Sequence, residues 1–177
     1  MIYDANYDPQ LIEERLNCKE MCHDYNNLRP RDTAERESLL HRLLGEVKGN
    51  ILIEQPFYCD YGYNIKVGRN FYANHNLVIL DGATVTFGDN VFIAPNCGFY
   101  TAGHPIDAND RNKGLEYARP INIGNDVWIG ADVSVLPGVT IGDNCVIGAG
   151  SVVTRNIPSN SVAVGNPCRV IKSIPPK

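Results

Sequence analysis

The chain has no basic block longer than a few residues and no apolar run of membrane-spanning length. Its formal net charge of −4 speaks against a nucleic-acid partner or an acidic membrane surface. The opening residues, Met1-Ile2-Tyr3-Asp4-Ala5-Asn6, lack the basic start and apolar centre of a secretory signal, so a soluble, cytoplasmic protein is expected. Histidine is scarce, with four in 177 residues, and His23 and His41 both precede residue 50. Only His75 and His104 remain for the rest of the chain. Cysteine is not scarce, but its pattern is poor in metal sites. Cys18 and Cys22 lie four apart on an expected helix beside His23, and zinc there would want a second ligand pair that the sequence does not display. Cys59, Cys97 and Cys145 read as small buried residues, and the cysteines are expected to be thiols, with no metal required.

What the chain has in abundance is a spacing. Ile123, Ile129, Val135, Ile141, Ile147 and Val153 form an aliphatic column with a period of six. Two residues before each member after the first stand Val127, Val133, Val139, Cys145 and Ser151, small or apolar again. Gly124, Gly130, Gly142 and Gly148 follow members of the column. This period belongs neither to a helix nor to an ordinary sandwich strand; it marks a hexapeptide β-helix. In a strand, positions i−2 and i share a face, here the inner one. A short strand and a tight turn consume one hexapeptide, and three such units return the chain to its starting edge. Each coil buries its inner face only against the next, so several must stack. The expected class is mainly β, a parallel β-helix with an N-terminal pair of helices and a protruding loop.

Residues 1–50 read as the helical cap. Asp8-Pro9 opens a helix through about Asn26, Arg29-Pro30-Arg31-Asp32 breaks it, and a second helix starts at Thr33 and stops at Gly45 to Gly49. Residues 51–165 read as the β-helix, with roughly five coils at eighteen residues each. Its phase slips by two residues between Thr84 and Asp89. Residues 166–177 form a tail that leaves the prism.

The pattern stops after Phe99 and resumes at Ile121, so about residues 100–120 form a loop. Long ordered loops on compact scaffolds often carry function. This one holds His104, and an imidazole is the side chain that changes charge near neutral pH.

Five stretches, in order, carry a resemblance: Phe57-Tyr58-Cys59-Asp60-Tyr61-Gly62-Tyr63-Asn64-Ile65, Asn70-Phe71-Tyr72-Ala73-Asn74, Gly103-His104-Pro105, Asn125-Asp126-Val127-Trp128-Ile129-Gly130 and Gly165-Asn166-Pro167-Cys168-Arg169-Val170-Ile171. Across essentially its whole length the chain resembles the maltose and galactoside O-acetyltransferases, with nodulation-factor acetyltransferases as near relatives. The resemblance implies a left-handed β-helix and acetyl transfer from acetyl-CoA to a sugar hydroxyl. It implies a homotrimer with active sites between prisms, and His104 as general base in direct transfer. By the same resemblance Asn74 and Asp60 face the acceptor, and Asn74 orients the acceptor or the reacting centre. Asp60 stands where maltose-type enzymes carry aspartate and galactoside enzymes carry serine. A galactoside-type acidic contact falls instead at Gly82, and an N-terminal one falls near Asp4 or Asn6. Glu116 either fixes the His104 tautomer or is a solvated charge. Ala131, Ala149, Thr154 and Arg155 match cofactor contacts, Arg169 and Lys172 match positions that meet the CoA phosphates, and Trp128 either shields the thioester or packs at an interface.

Three rival readings keep the fold. A γ-type carbonic anhydrase needs three histidine ligands, and the repeat region holds two. A xenobiotic or amine acetyltransferase would use the same loop histidine and differ only in its acceptor pocket. A non-enzymatic trimeric scaffold leaves the His104 loop and the basic tail without a purpose.

Overall fold

The computed structural model describes residues 2–175. Each coil gives one short strand to each of three parallel sheets, and the solenoid makes about six turns. The first sheet stacks Glu46–Val47, Ile65–Val67, Val85–Phe87, Ile121–Ile123 and Thr140–Ile141. The second stacks Ile51–Ile53, Phe71–Ala73, Phe92–Ile93, Trp128–Ile129, Val146–Ile147 and Ser161–Val164. The third stacks Phe57–Cys59, Leu77–Leu80, Gly98–Tyr100, Ser134–Val135 and Val152–Val153. The tail does not simply leave the prism: Arg169–Ser173 folds back antiparallel on Ser161–Val164 and closes the edge of the second sheet.

The expectation of five uniform coils of eighteen residues is corrected. Corner residues stack 20 apart early in the chain, as Arg69 on Asp89, then 18 apart, as Asn125 on Asp143, and 16 apart at the end, as Asp143 on Ser159. The extra length of the early coils lies at one corner, between the third and first sheets. There Asp60–Asn64 and Asp81–Thr84 make turns two residues longer than elsewhere. The phase slip therefore comes before Val85, not between Thr84 and Asp89, because Val85 and Phe87 both point inward on one strand, 0% and 2% exposed. The loop leaves from this same corner.

The other two corners are locked. Asn70, Asn90, Asp126, Asn144 and Asn160 turn the chain from the first sheet to the second with φ between 53° and 59°. Asn76, Asn96 and Asp132 do the same between the second and third sheets, with φ from 58° to 62°. Asn and Asp tolerate this left-handed region, and their side chains pair from coil to coil. Asn70 donates to Asn90 (3.0 Å), Asn90 to Asp126 (2.9 Å), Asn76 to Asn96 (2.9 Å) and Asn96 to Asp132 (3.0 Å). The third corner has no such ladder among the described residues, and it is where the coils vary.

Core composition follows coil size. The wide early coils are filled by Phe57, Phe71, Phe87 and Phe99; Phe87 meets Phe71 and Phe99 edge-on at 5.1 and 5.0 Å between ring centres. The narrower later coils take Val, Ile, Cys145, Ser151, Ser161 and Ala163, with no buried aromatic among the described residues.

Two helices cap the open end, as expected from the sequence. Helix α1 (Pro9–Asn27) starts where Asp8 accepts from the backbone N–H groups of Gln10 and Leu11. Helix α2 (Thr33–Leu43) buries Leu39, Leu40 and Leu43. The edge of the first coil would otherwise present unpaired backbone groups. Tyr25 donates to the Ile53 carbonyl at 2.5 Å, and Asn26 pairs with both the N–H and the C=O of Phe57 at 2.8 and 3.0 Å. Arg36, buried on α2, donates to Ile53 O at 2.9 Å and to Glu54 Oε2 at 3.2 Å. The cap replaces a missing coil.

Candidate active site

The N-terminus is part of the loop. Ile2–Asp4 pairs antiparallel with Leu115–Ala118, which pairs in turn with Ala102–Gly103, so a three-stranded sheet stands on the variable corner. Helix α3 (Ala108–Asn112), capped by Asp107, forms the tip. Asn6 donates to the Gly114 carbonyl at 2.9 Å, while Asp4 accepts from the N–H groups of Asn6 and Tyr7. Asn6 thus braces the loop directly, and the Asp4 carboxylate holds the turn that presents Asn6 to it.

His104 follows Gly103 on this sheet and is half exposed. Its Nδ1 lies 3.1 Å from the Leu115 carbonyl. A carbonyl only accepts, so Nδ1 carries the proton and Nε2 keeps its lone pair. Glu116 Oε1 is 3.7 Å from Nε2, beyond hydrogen-bond distance, and its other oxygen accepts from Tyr3 Oη at 3.4 Å. The open question over Glu116 is therefore narrowed: the Leu115 carbonyl sets the tautomer, and the carboxylate flanks the free nitrogen. Burial, with Glu116 beside it, pushes the Tyr3 hydroxyl up to about 12, which keeps it a donor.

Beneath the loop, Asp60 and Asp81 share the enlarged corner. Asp81 is fully buried; its Oδ1 accepts from the backbone N–H groups of Asp60 and Tyr61 at 3.0 and 2.9 Å, and its Oδ2 has no partner among the described residues. Burial raises its carboxyl above the usual range against those N–H bonds. Asp60 is pushed up to about 6, first by burial and then by the charge of Asp81. Arg15 steadies the corner, donating to Tyr61 Oη at 2.7 Å and to the Ala5 carbonyl at 2.6 Å. Because both acids hold protons more tightly folded than unfolded, this corner loses stability as pH rises from the ordinary carboxylate range through about 6. Thermal melts of Asp60→Asn should show the variant gaining on the native protein at pH 7, the gap narrowing as pH falls through about 6 and closing only toward the ordinary Asp value of 3.8. A gap independent of pH would mean that the Asp60 charge carries no such strain.

The remaining candidates sit elsewhere on the prism. Asn74 leaves the second sheet at the opposite locked corner, its N–H bonded to Ile93 O at 2.9 Å and its Oδ1 accepting from His75 N at 2.8 Å. Ala131 and Ala149 follow on that corner, where Gly150 N–H bonds to the Ala131 carbonyl at 2.8 Å. Trp128 stands outward and 57% exposed, in register with Phe92 and Val146. Arg169 and Lys172 lie exposed on the closing strand. Thr154 and Arg155 stand on the loop's corner two strands along the third sheet, beyond Leu136. One chain gathers His104, Glu116, Tyr3 and Asp60; Asn74, Ala131 and Ala149 line another corner, with Trp128 on a strand leading into it.

A family model described as the maltose acetyltransferase hexapeptide capping motif matches residues 1–49, and the bacterial transferase hexapeptide model, six repeats, matches residues 120–155. The galactoside O-acetyltransferase of Escherichia coli K12 is 52% identical over 164 residues, 93% of this chain and 81% of its own. The chain belongs to the maltose and galactoside O-acetyltransferase family. A Saccharomyces cerevisiae relative is 61% identical over 176 residues, 99% of this chain and 90% of its own. A galactoside acetyltransferase in complex with coenzyme A superposes with a TM-score of 0.95 at 49% identity, covering 98% of this chain and 86% of that one. A maltose O-acetyltransferase from Clostridium difficile 630 gives 0.96 at 53% identity, with 99% and 93% coverage. Capping motif and hexapeptide match coincide with the helical cap and the late coils described above.

Tyr3, Asp81, Arg15 and the Leu115 carbonyl were not singled out from sequence as parts of the family site. Tyr3 meets Glu116 across 113 residues, and only the strand pairing reveals it. Asp81 had a usable sign: a carboxylate directly after an inward strand, at the lengthened corner.

Proposed function

We propose that this acetyltransferase moves the acetyl group of acetyl-CoA directly to a sugar hydroxyl, a maltose- or glucose-type acceptor being favoured, with His104 as general base. The observation that carries the reading is the Leu115 carbonyl on Nδ1, which leaves the Nε2 lone pair outward. A sugar hydroxyl is a poor nucleophile at neutral pH. Nε2 takes its proton as the oxygen attacks the thioester carbon, forming the C–O bond. Collapse of the tetrahedral intermediate breaks the C–S bond, and the imidazolium returns the proton to the departing thiolate. Glu116 stands 3.7 Å from that nitrogen, on the side where the transferred proton is held. No acyl-enzyme is required.

Asp60 supports the maltose-type acceptor. So does Gly82, where a Cβ would come within 2.9 Å of Tyr3 Oη, so the tyrosine hydroxyl takes the space an acidic side chain would need. Asn74, Trp128, Ala131 and Ala149 lie along a different corner from His104, which supports a homotrimer in which one prism brings the base and its neighbour brings Asn74. Thr154, Arg155, Arg169 and Lys172 complete the cofactor side, with Arg169 and Lys172 as phosphate partners. The cytoplasm is the proposed setting; among the described residues no helix is long and apolar enough to cross a membrane.

Two measurements test this. CoA-thiol release should require a sugar, with maltose or glucose ahead of galactosides; release with amines or chloramphenicol alone would replace the acceptor class. Mixing His104→Ala and Asn74→Ala subunits should restore activity that neither homotrimer has. Failure to restore it in verified mixed trimers would put both residues in one chain's site.

A further inference from the structure

Three thiols far apart in sequence converge where α1 lies against the first coil. Cys18 and Cys22, one helical turn apart, face the strand Phe57–Cys59, and their Sγ atoms stand 3.5 and 3.7 Å from Cys59 Sγ. All three sulfurs lie within 4.8 Å of one another, and the residues are 3%, 3% and 6% exposed. The proposed acetyl transfer uses none of them, and Cys97, Cys145 and Cys168 are not part of the group.

Tetrahedral zinc holds each thiolate at about 2.3 Å, which places the sulfurs of one site about 3.8 Å apart. The two short separations are within a few tenths of an ångström of that value, so three corners of the tetrahedron already exist. A cavity of about 680 Å³ borders the cluster, with Lys19, Cys22, Tyr58 and Cys59 in its wall. We propose that Cys18, Cys22 and Cys59 bind a divalent zinc-class cation, its fourth position completed by water from this cavity. The sequence reading asked for a second ligand pair near Cys18 and Cys22; the fold supplies one further ligand, and solvent supplies the last.

Charge selects the valence. Three thiolates on a divalent ion leave one negative charge, facing Lys19 in the cavity wall. A monovalent ion would leave two. The thiol protons leave to solvent as the ion arrives, with no change of oxidation state. Bound there, the ion ties α1 to the strand that leads into Asp60.

The test uses the full-length protein, stripped of metal and kept reduced, titrated with cobalt(II) as a spectroscopic stand-in and then with zinc(II). The expected result is one cobalt per chain, a thiolate-to-cobalt charge-transfer band with the strong visible bands of a tetrahedral site, and displacement by zinc. Zinc should also raise Tm, a readout independent of activity. Cys59→Ser and Cys22→Ala should each abolish the bands, and Cys145→Ser, in a distant coil, should leave them. If Cys59→Ser does not fold, Cys22→Ala on the outer helix decides. Absence of the charge-transfer band in the native protein, or its survival in a folded Cys22→Ala, would overturn the site.

Discussion

His104→Ala is expected to lower kcat by about 10²–10⁴-fold, the range a positioned general base contributes, while CoA affinity stays close to native. The reason lies in how little else the side chain does. It is half exposed, outside the packed core, and its one close polar contact is Nδ1 on the Leu115 carbonyl. Removing it leaves a carbonyl at the protein surface, which water can satisfy, so the loop should hold. Within one chain the cofactor candidates Ala131 and Ala149 lie on another corner and Trp128 on a strand of the second sheet, so the change leaves their packing intact. Glu116→Gln gives the contrast. At 3.7 Å its carboxylate contributes charge rather than a hydrogen bond to Nε2, so its loss should be clearly smaller than that of the base. Steady-state kcat and KM with CoA titration distinguish the cases: equal losses in rate and CoA binding for His104→Ala would make it a structural residue of the loop.

The β-helix was legible because a period of six survives over unbroken stretches such as Ile123 to Val153, where every coil has the same length. It blurred where coils lengthen. Inward pairs such as Val85 and Phe87 look like a slipped phase until the longer turn at Asp81–Thr84 is seen. The asparagine ladders were readable in principle, since Gly-Asp-Asn recurs at Gly88-Asp89-Asn90 and Gly142-Asp143-Asn144. They matter because they fix two corners and leave the third to carry Asp60, Asp81 and the loop. His104 stood out as the one histidine of the insertion. The Tyr3–Glu116 contact and the Cys18–Cys22–Cys59 cluster did not stand out, because both depend on chain segments that meet only after the first coil and the loop sheet have formed. Helix α1 was read to within a residue, since its start is a local signal: Asp8 caps it with two N–H bonds and Pro9 follows.

The second large effect is on stability. Phe87→Ala should destabilise the protein by about 3–5 kcal/mol, the usual cost of emptying a buried aromatic site. That is a large part of the roughly 5–15 kcal/mol that holds a typical domain. Phe87 is 2% exposed and stands in the middle of a three-ring stack, with one neighbouring ring from each of the other two sheets. Its removal therefore strips contacts from all three sides of the prism in one step. Collapse to refill the space is resisted by the backbone. A Cβ at the adjacent Gly88 would meet Gly124 backbone atoms at 2.7 Å, so the next coil is already in contact and cannot move closer. The coil above is fixed in register through Val67 and Phe87 as partners, and the one below through Phe87 and Ile123. By contrast Ile147→Val, in a narrow late coil, deletes one methyl group and should cost about 0.5–1.5 kcal/mol. Thermal melts at one fixed protein concentration should show a fall in Tm of roughly 6–20 °C for Phe87→Ala and a few degrees at most for Ile147→Val. Equal shifts would mean that the wide coils are not aromatic-filled in the way their length requires, and that the extra residues at the third corner do not widen the prism.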